Sequence, residues 1–131
     1  MEAVGQIVAL IIAIFGVATY FVDKLISRRH RTIDKIGELL DNYHEKYADL
    51  DINSNFKEHV HFLSQIEQFC IAVDSNVYSI RIIRKFSSKF LCNLYHKYED
   101  NVIAKRRTQF SPERYRYFEA LIKKLERGGI Q

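Results

Sequence analysis

Five histidines are the side chains here best suited to acid and base work near neutral pH. His59 and His61 stand two apart on an expected helix, so they point to different faces and cannot share a metal. His44 is followed by Glu45 but lacks the second His of a zinc-binding helix. His30 falls in a basic cluster and suits a lipid headgroup contact, and His96 has no evident acidic or thiol partner in the sequence. Surface or capping roles are therefore expected for all five. No His follows an Arg at the spacing of four to six residues that helical RNA-cleaving nucleases use. Glu67, on an otherwise apolar stretch, is the one candidate buried carboxylate, with a place at the surface edge preferred. Nothing matches a phosphate-binding loop, a dinucleotide fingerprint or a zinc cysteine pattern. No enzyme, cofactor or metal is expected.

Basic groups interleaved with aromatic rings are the second kind of chemistry in the chain. Arg81, Arg84 and Lys85 lie on successive turns of an expected helix, and Lys105, Arg106 and Arg107 end the same stretch. Arg114 and Arg116 alternate with Tyr115 and Tyr117. Such groups hold phosphates and stack on bases, and they also suit acidic lipid headgroups. A solvated helix face with tyrosines closing a core explains the same letters. The charge balance sharpens the question. The net charge is +4, but residues 1–76 carry −4 and residues 77–131 carry +8. A basic half fits a polyanion such as nucleic acid or anionic lipid, an acidic protein face, or the acidic half of the same or a neighbouring chain. Cys70 and Cys92 fall on apolar stripes, as free thiols in a reducing cytosol would.

The elements that must position these groups begin with a membrane segment. From Ala3 to Val22 the chain reads AVGQIVALIIAIFGVATYFV, without a charge and with Gln6 its one strongly polar side chain. At ~1.5 Å per residue this run spans the roughly 30 Å hydrocarbon layer. A signal peptide would begin with basic residues, whereas the only early charge here is Glu2. Lys24, Arg28, Arg29, Arg31 and Lys35 follow the span and no Lys or Arg precedes it. Positive residues stay inside, so the N-terminus is expected outside the cell inner membrane and the body in the cytosol. Tyr20 and Phe21 fall where an interfacial aromatic belt sits. Gly5, Ala9, Ala13 and Gly16 form a stripe of small residues with Gln6 beside it, which suits close approach of a second copy and a homo-oligomer in the bilayer. A pore lined by Gln6, Ala13 and Tyr20 is a sharper version of the same idea.

The remainder, residues 27–131 after a 1–26 membrane segment and edge, reads as an all-α bundle. Ile26, Ile33, Ile36, Leu40, Tyr43, Tyr47 and Leu50 make a heptad seam on one helix that runs from the membrane to about Ala48. Gly37 weakens that helix by roughly 1 kcal/mol. Asp51, Asn53 and Ser54 break it. A helix follows from about Ser54 to Val73, inward through Phe56, Val60, Leu63, Ile66, Cys70 and Val73. Asp74 or Ser75 then caps a long stretch to Arg107. Val77, Ile80, Ile83, Phe90, Leu91, Leu94 and Tyr98 point inward there, with a weak point at Phe86-Ser87-Ser88. Ser111 and Pro112 start a last helix packed through Tyr115, Phe118, Leu121, Ile122 and Leu125, which Gly128 and Gly129 end.

The order of RTIDKIGELL, HFLSQIEQFCIAV, SNVYSIRIIRKF and RYRYFEALIKKL behind an apolar span resembles a bacterial domain-of-unknown-function family of small membrane-anchored helical proteins. In that family a Leu-x-x-x-Glu-x-aromatic segment, matched by Leu63, Glu67 and Phe69, precedes a basic helix and a final aromatic helix. The family has no established activity to carry over. A looser likeness is to membrane effectors that accompany prokaryotic antiviral systems, including RNA-targeting CRISPR loci, some of which assemble into pores. This chain lacks the Arg and His nuclease motif that some of those retain. Two functions are thus expected: an oligomeric membrane effector or pore-forming accessory in antiviral defence, or a tethered adaptor whose basic domain binds RNA, a nucleotide or a protein.

Overall fold

The longest apolar run in the chain lies outside the core. The computed structural model describes residues 2–127, and in it every residue from 3 to 27 is exposed. These residues form the first half of α1 (Glu2–Asn42), a single helix that continues without a break into the folded domain. Among the described residues this is the one helix long and apolar enough to cross a membrane. No Pro interrupts it, and Gly37 sits in open space within it. From Arg28 onward the same helix becomes one wall of a bundle with α2 (Phe56–Asp74), α3 (Ile80–Tyr98), α4 (Ala104–Gln109) and α5 (Arg116–Arg127). No strand occurs among the described residues, so the all-α expectation holds.

Two wide, π-helical turns set the register of the core. One, Tyr43–Tyr47, closes α1 with Ala48 N–H donating to the Tyr43 carbonyl at 2.8 Å. The other, Glu99–Ile103, joins α3 to α4. An extra residue in a turn rotates every side chain beyond it. Tyr47 is thereby turned onto Phe62, with stacked rings 4.7 Å apart, and Val102 and Ile103 are both buried although adjacent. Phe62, Leu63, Ile66, Ile83, Tyr98 and Phe118 are among the fully enclosed side chains at the centre. α5 closes the bundle through Phe118, Leu121, Ile122 and Leu125, the i, i+3, i+4, i+7 pattern of a half-buried helix.

Several sequence expectations are corrected by this packing. Of the expected seam, Ile36 and Tyr47 are buried and Leu40, Tyr43 and Leu50 pack half-buried against the core, joined by Thr32 and Leu39, while Ile26 and Ile33 stay exposed. The partner helices engage only the end of α1, on a face slightly rotated from the heptad. α3 runs unbroken through Phe86-Ser87-Ser88; Ser87 and Ser88 are buried, and Ser87 Oγ donates to the Ile83 carbonyl. The irregularity falls instead at Glu99–Ile103. Val77 is exposed. Asp74 and Ser75 do not cap α3. They belong to the end of α2, where Asn76 takes the left-handed conformation with φ of 63°. Asn76 and Val77 N–H donate to the Val73 and Ala72 carbonyls, a closing arrangement in which Asn is tolerated at the left-handed position. α5 starts at Arg116, not Ser111, because Tyr115 also has φ of 63° and separates the Ser111–Arg114 turn from the helix. The expected stop at Gly128 and Gly129 lies outside the described residues.

α1 and α3 run side by side in the same direction. At one end the Ser79 N–H donates to Thr32 Oγ1 at 2.8 Å, and the hydroxyl donates onward to the Arg28 carbonyl. At the other end Lys97 Nζ donates to Tyr43 Oη at 2.7 Å. The turn between α2 and α3 therefore lies beside residues 21–32 of α1, where the free segment enters the bundle.

Candidate functional site

The predicted association residues Gly5, Gln6, Ala9, Ala13 and Gly16 all lie on the free half of α1 and are all exposed. A Cβ added at Gly5 or Gly16 meets no atom within 4 Å. Helical geometry puts Gly5, Ala9, Ala13 and Gly16 on one face, with Gln6 at its border. Val4, Ile7, Ile11 and Phe15 are exposed on the same half-helix.

The predicted polyanion contacts divide into two groups at opposite ends of α5. Arg81, Arg84 and Lys85 are exposed on the first turns of α3. Arg84 donates to the Lys124 carbonyl at 3.2 Å, closing the last turn of α5. Arg106, Arg107, Arg114 and Arg116 gather around the turn between α4 and α5 at the other end, and Lys105 reaches the Phe56 ring from the same helix. A 12-residue helix of about 18 Å separates the groups. They do not merge into one basic stripe.

Within the second group the arginines have distinct surroundings. Arg107 is structural: its guanidinium donates to the Arg114 carbonyl at 2.8 Å and to Glu119 at 2.6 Å, pinning the α4–α5 turn. Lys123 on the same carboxylate, together with Arg107, holds the Glu119 pKa below its ordinary value. Arg106 and Arg114 place their guanidinium carbons 4.2 and 4.6 Å from the centre of the Phe110 ring, which is 59% exposed. Arg116 lies over Tyr117 at 4.8 Å and donates to its hydroxyl. The exposed Phe110, Arg114 and Arg116, with the half-buried Arg106 and Tyr117 beside them, form a surface that can take a phosphate and stack a planar ring. Phe110, its centre, is not among the residues that the sequence singled out. The Arg106-to-Phe110 spacing of four, one helical turn, is the signal that points to it.

Beside this surface a cleft of about 260 Å³ is lined by Ser64, Glu67, Ile71 and the chain from Glu113 to Tyr117. Glu67 is half-buried and Oε1 accepts the Phe118 N–H at 2.8 Å. It thus supplies, from another helix, the acceptor that the first turn of α5 lacks. Burial pushes its pKa up, and the Phe118 and Tyr117 N–H groups and nearby arginines pull against that.

The histidines are corrected in two places. His59 is not on the surface but fully buried. Its Nε2 lies 3.1 Å from the Leu50 carbonyl, and its Nδ1 meets the Tyr98 hydroxyl. A carbonyl only accepts, so Nε2 carries the proton and Nδ1 accepts from tyrosine. Desolvation holds the His59 pKa below its ordinary value and that of Tyr98 well above. The pair is neutral and enclosed, an internal brace. His96 has the acidic partners that the sequence hid, Glu126 at 3.0 Å and Glu99 at 3.2 Å, and they raise its pKa. Cys70 and Cys92 are free and buried, and burial raises both thiols. Among the described residues no three His, Cys, Asp or Glu side chains cluster as a metal ion requires.

No curated protein and no solved structure matches the chain. A family model does match, over residues 3–125, which takes in the free half of α1 and nearly all of the bundle. Glu67 and all but the outermost residues of α1 and α5 are inside that match. The chain belongs to the family described as Domain of unknown function (DUF4760).

Proposed function

We propose that this protein is a single-span membrane protein with its N-terminus outside and its helical bundle in the cytosol, acting without catalysis as a self-associating membrane effector. The observation that carries this reading is the segment from residue 3 to residue 27, apolar for twenty residues and exposed throughout. In water such a helix would bury itself, because exposed apolar surface is costly at about 25 cal/mol per Å². A bilayer and a second copy are the two environments that relieve it. The cluster from Lys24 to Lys35 sets the orientation. The stripe Gly5, Ala9, Ala13, Gly16 supports close helix packing, with Gln6 placed to hydrogen-bond across it. The antiviral setting, and pore formation within it, rest on the resemblance to membrane effectors of prokaryotic defence systems.

The test is the mass of the detergent-solubilised protein by light scattering, with detergent subtracted. The native chain is expected as a defined multimer, and an Ala9→Ile/Ala13→Ile variant as a monomer or a smaller species. A monomeric native chain overturns the reading, and unchanged variant mass overturns the role of the stripe. Leakage of dye from liposomes then separates a pore from a closed assembly.

A second reading has its own observation, the exposed Phe110 ring flanked by Arg106 and Arg114. It makes the bundle a tethered module for a polyanion such as RNA or a nucleotide, or for an acidic protein. Arg114→Glu/Arg116→Glu would then abolish salt-sensitive binding of a fluorescent single-stranded RNA. Equal binding by native and variant protein removes this reading.

A further inference from the structure

Where α1 leaves its free half, a cleft of about 380 Å³ opens between the helix and the α2–α3 turn. Phe21, Lys24, Leu25, Arg28 and Arg31 line one side, and Asn76 and Val77 the other. The residues on α1 follow steps of three or four, with Leu25 next to Lys24, so they form one helical face. That face leads directly to Thr32, whose hydroxyl holds the Ser79 N–H. The cleft is thus fixed in shape by the same contact that docks the turn on the helix. Asn76, left-handed at φ of 63°, turns the chain so that Val77 is presented at the surface, 38% exposed. Phe21 and Leu25 are 59% and 56% exposed opposite it. Among the described residues, no carboxylate pairs with Lys24, Arg28 or Arg31. Lys24 lies over the Tyr20 ring at 5.0 Å.

Three unpaired cations above an apolar floor match a molecule that is anionic at one end and aliphatic at the other. We propose that this cleft binds one anionic phospholipid, its phosphate among Lys24, Arg28 and Arg31 and an acyl chain against Phe21, Leu25 and Val77. The proposal rests on the reading that α1 spans a bilayer, since that reading places the cleft at headgroup depth. Its chemistry is more specific than a general attraction of basic residues to a charged surface. The lipid would touch both α1 and the α2–α3 turn, and so would hold the bundle at a set angle to the span. A free phosphate would satisfy the cations but leave the apolar floor in water. A zwitterionic lipid would fill the floor but neutralise the cations poorly.

The experiment uses the full chain purified in dodecyl maltoside and titrated with phosphatidylglycerol, phosphatidylcholine or inorganic phosphate, with bound molecules counted by native mass spectrometry. One phosphatidylglycerol per chain is expected, bound at least tenfold more tightly than phosphatidylcholine, with no retained phosphate. Lys24→Gln/Arg28→Gln/Arg31→Gln should weaken phosphatidylglycerol roughly fivefold for each basic group removed. Val77→Ser, which changes no charge, should also weaken it. A control with equal charge loss elsewhere, Lys46→Gln/Lys57→Gln/Lys89→Gln, should bind as the native chain does. All these side chains except the half-buried Arg28 are exposed, and circular dichroism confirms folding of each variant. Equal binding of the two lipids, equal weakening by the control, or phosphate retained as well as lipid each overturns the proposal. Alkaline carbonate extraction of the starting membranes separates its failure from that of the membrane reading. A chain released by carbonate overturns both, whereas a chain that stays in the membrane without preferring phosphatidylglycerol overturns the cleft alone.

Discussion

At the scale of single residues, the buried His59 and the half-buried Glu67 make the protein sensitive to pH in opposite directions. His59 is neutral in the fold, its pKa held down chiefly by desolvation. The unfolded chain therefore takes up a proton first as pH falls through about 6.5, and stability is lost below that value, by at most about 1.4 kcal/mol per pH unit. Thermal melts in detergent at pH 7.5, 6.0 and 5.0 should show this loss. A His59→Gln variant should be less stable at pH 7.5 and flatter across the range. An equally steep variant would place the titrating group elsewhere. Glu67 has the reverse sign. Burial raises its pKa, so the folded state keeps a proton that the unfolded chain releases above about 4.5, and stability declines as pH rises through that window. Its hydrogen bond to Phe118 N–H needs an acceptor but not a charge. Glu67→Gln is accordingly expected to match or exceed the native melting temperature at pH 7. Glu67→Ala should lose about 1–2 kcal/mol by leaving that donor unmet. If Gln is as harmful as Ala, the interaction of the charge with the helix end dominates instead.

At the scale of elements, the bundle depends on how the α2–α3 turn meets α1. Thr32 is fully buried and its hydroxyl is used twice, as acceptor for Ser79 and donor to Arg28. Thr32→Val keeps the shape and leaves the Ser79 N–H buried without a partner, which should lower stability by about 1–3 kcal/mol in chemical denaturation. Thr32→Ser, which keeps the hydroxyl, should lose less. Loss from Ser with none from Val would show that the methyl group, not the hydrogen bond, holds the turn. The wide turns at Tyr43–Tyr47 and Glu99–Ile103 belong to the same scale. Each converts a regular helical repeat into one that buries a residue the repeat would leave outside.

For the whole molecule, the division between free segment and bundle makes a simple prediction. Every core residue lies at or after Ile36, and residues 3–27 cover none of them. A fragment of residues 27–127 is expected to fold in water and to melt cooperatively, as followed by circular dichroism. The free segment would then be dispensable for the fold. A fragment that is unfolded or aggregated would mean that the segment, or a neighbouring copy, completes the bundle.

The sequence by itself determined the class of the protein and the existence of its helices, because those rest on local periodicity and on composition. The free apolar segment needed only a count of uncharged residues, and the inward face of α5 only the spacing of Phe118, Leu121, Ile122 and Leu125. Helix ends were less legible. Asn76 and Tyr115 take a left-handed conformation that packing imposes, and neither residue type demands it. The candidate sites were legible only in part. Arg114 and Arg116 could be read as neighbours, but Phe110 between Arg106 and Arg114, the pinning of Arg107 by Glu119 and the capping of α5 by Arg84 depend on contacts across the fold. The same is true of His59 with Tyr98, 39 residues apart, and of Glu67 with Phe118, 51 apart. The cleft at the foot of α1 arises only where two segments about fifty residues apart in sequence come together. Periodicity reports which face of a helix is apolar. Which polar groups then meet is set by the angle and register at which the helices pack, and that was decided by the tertiary structure alone.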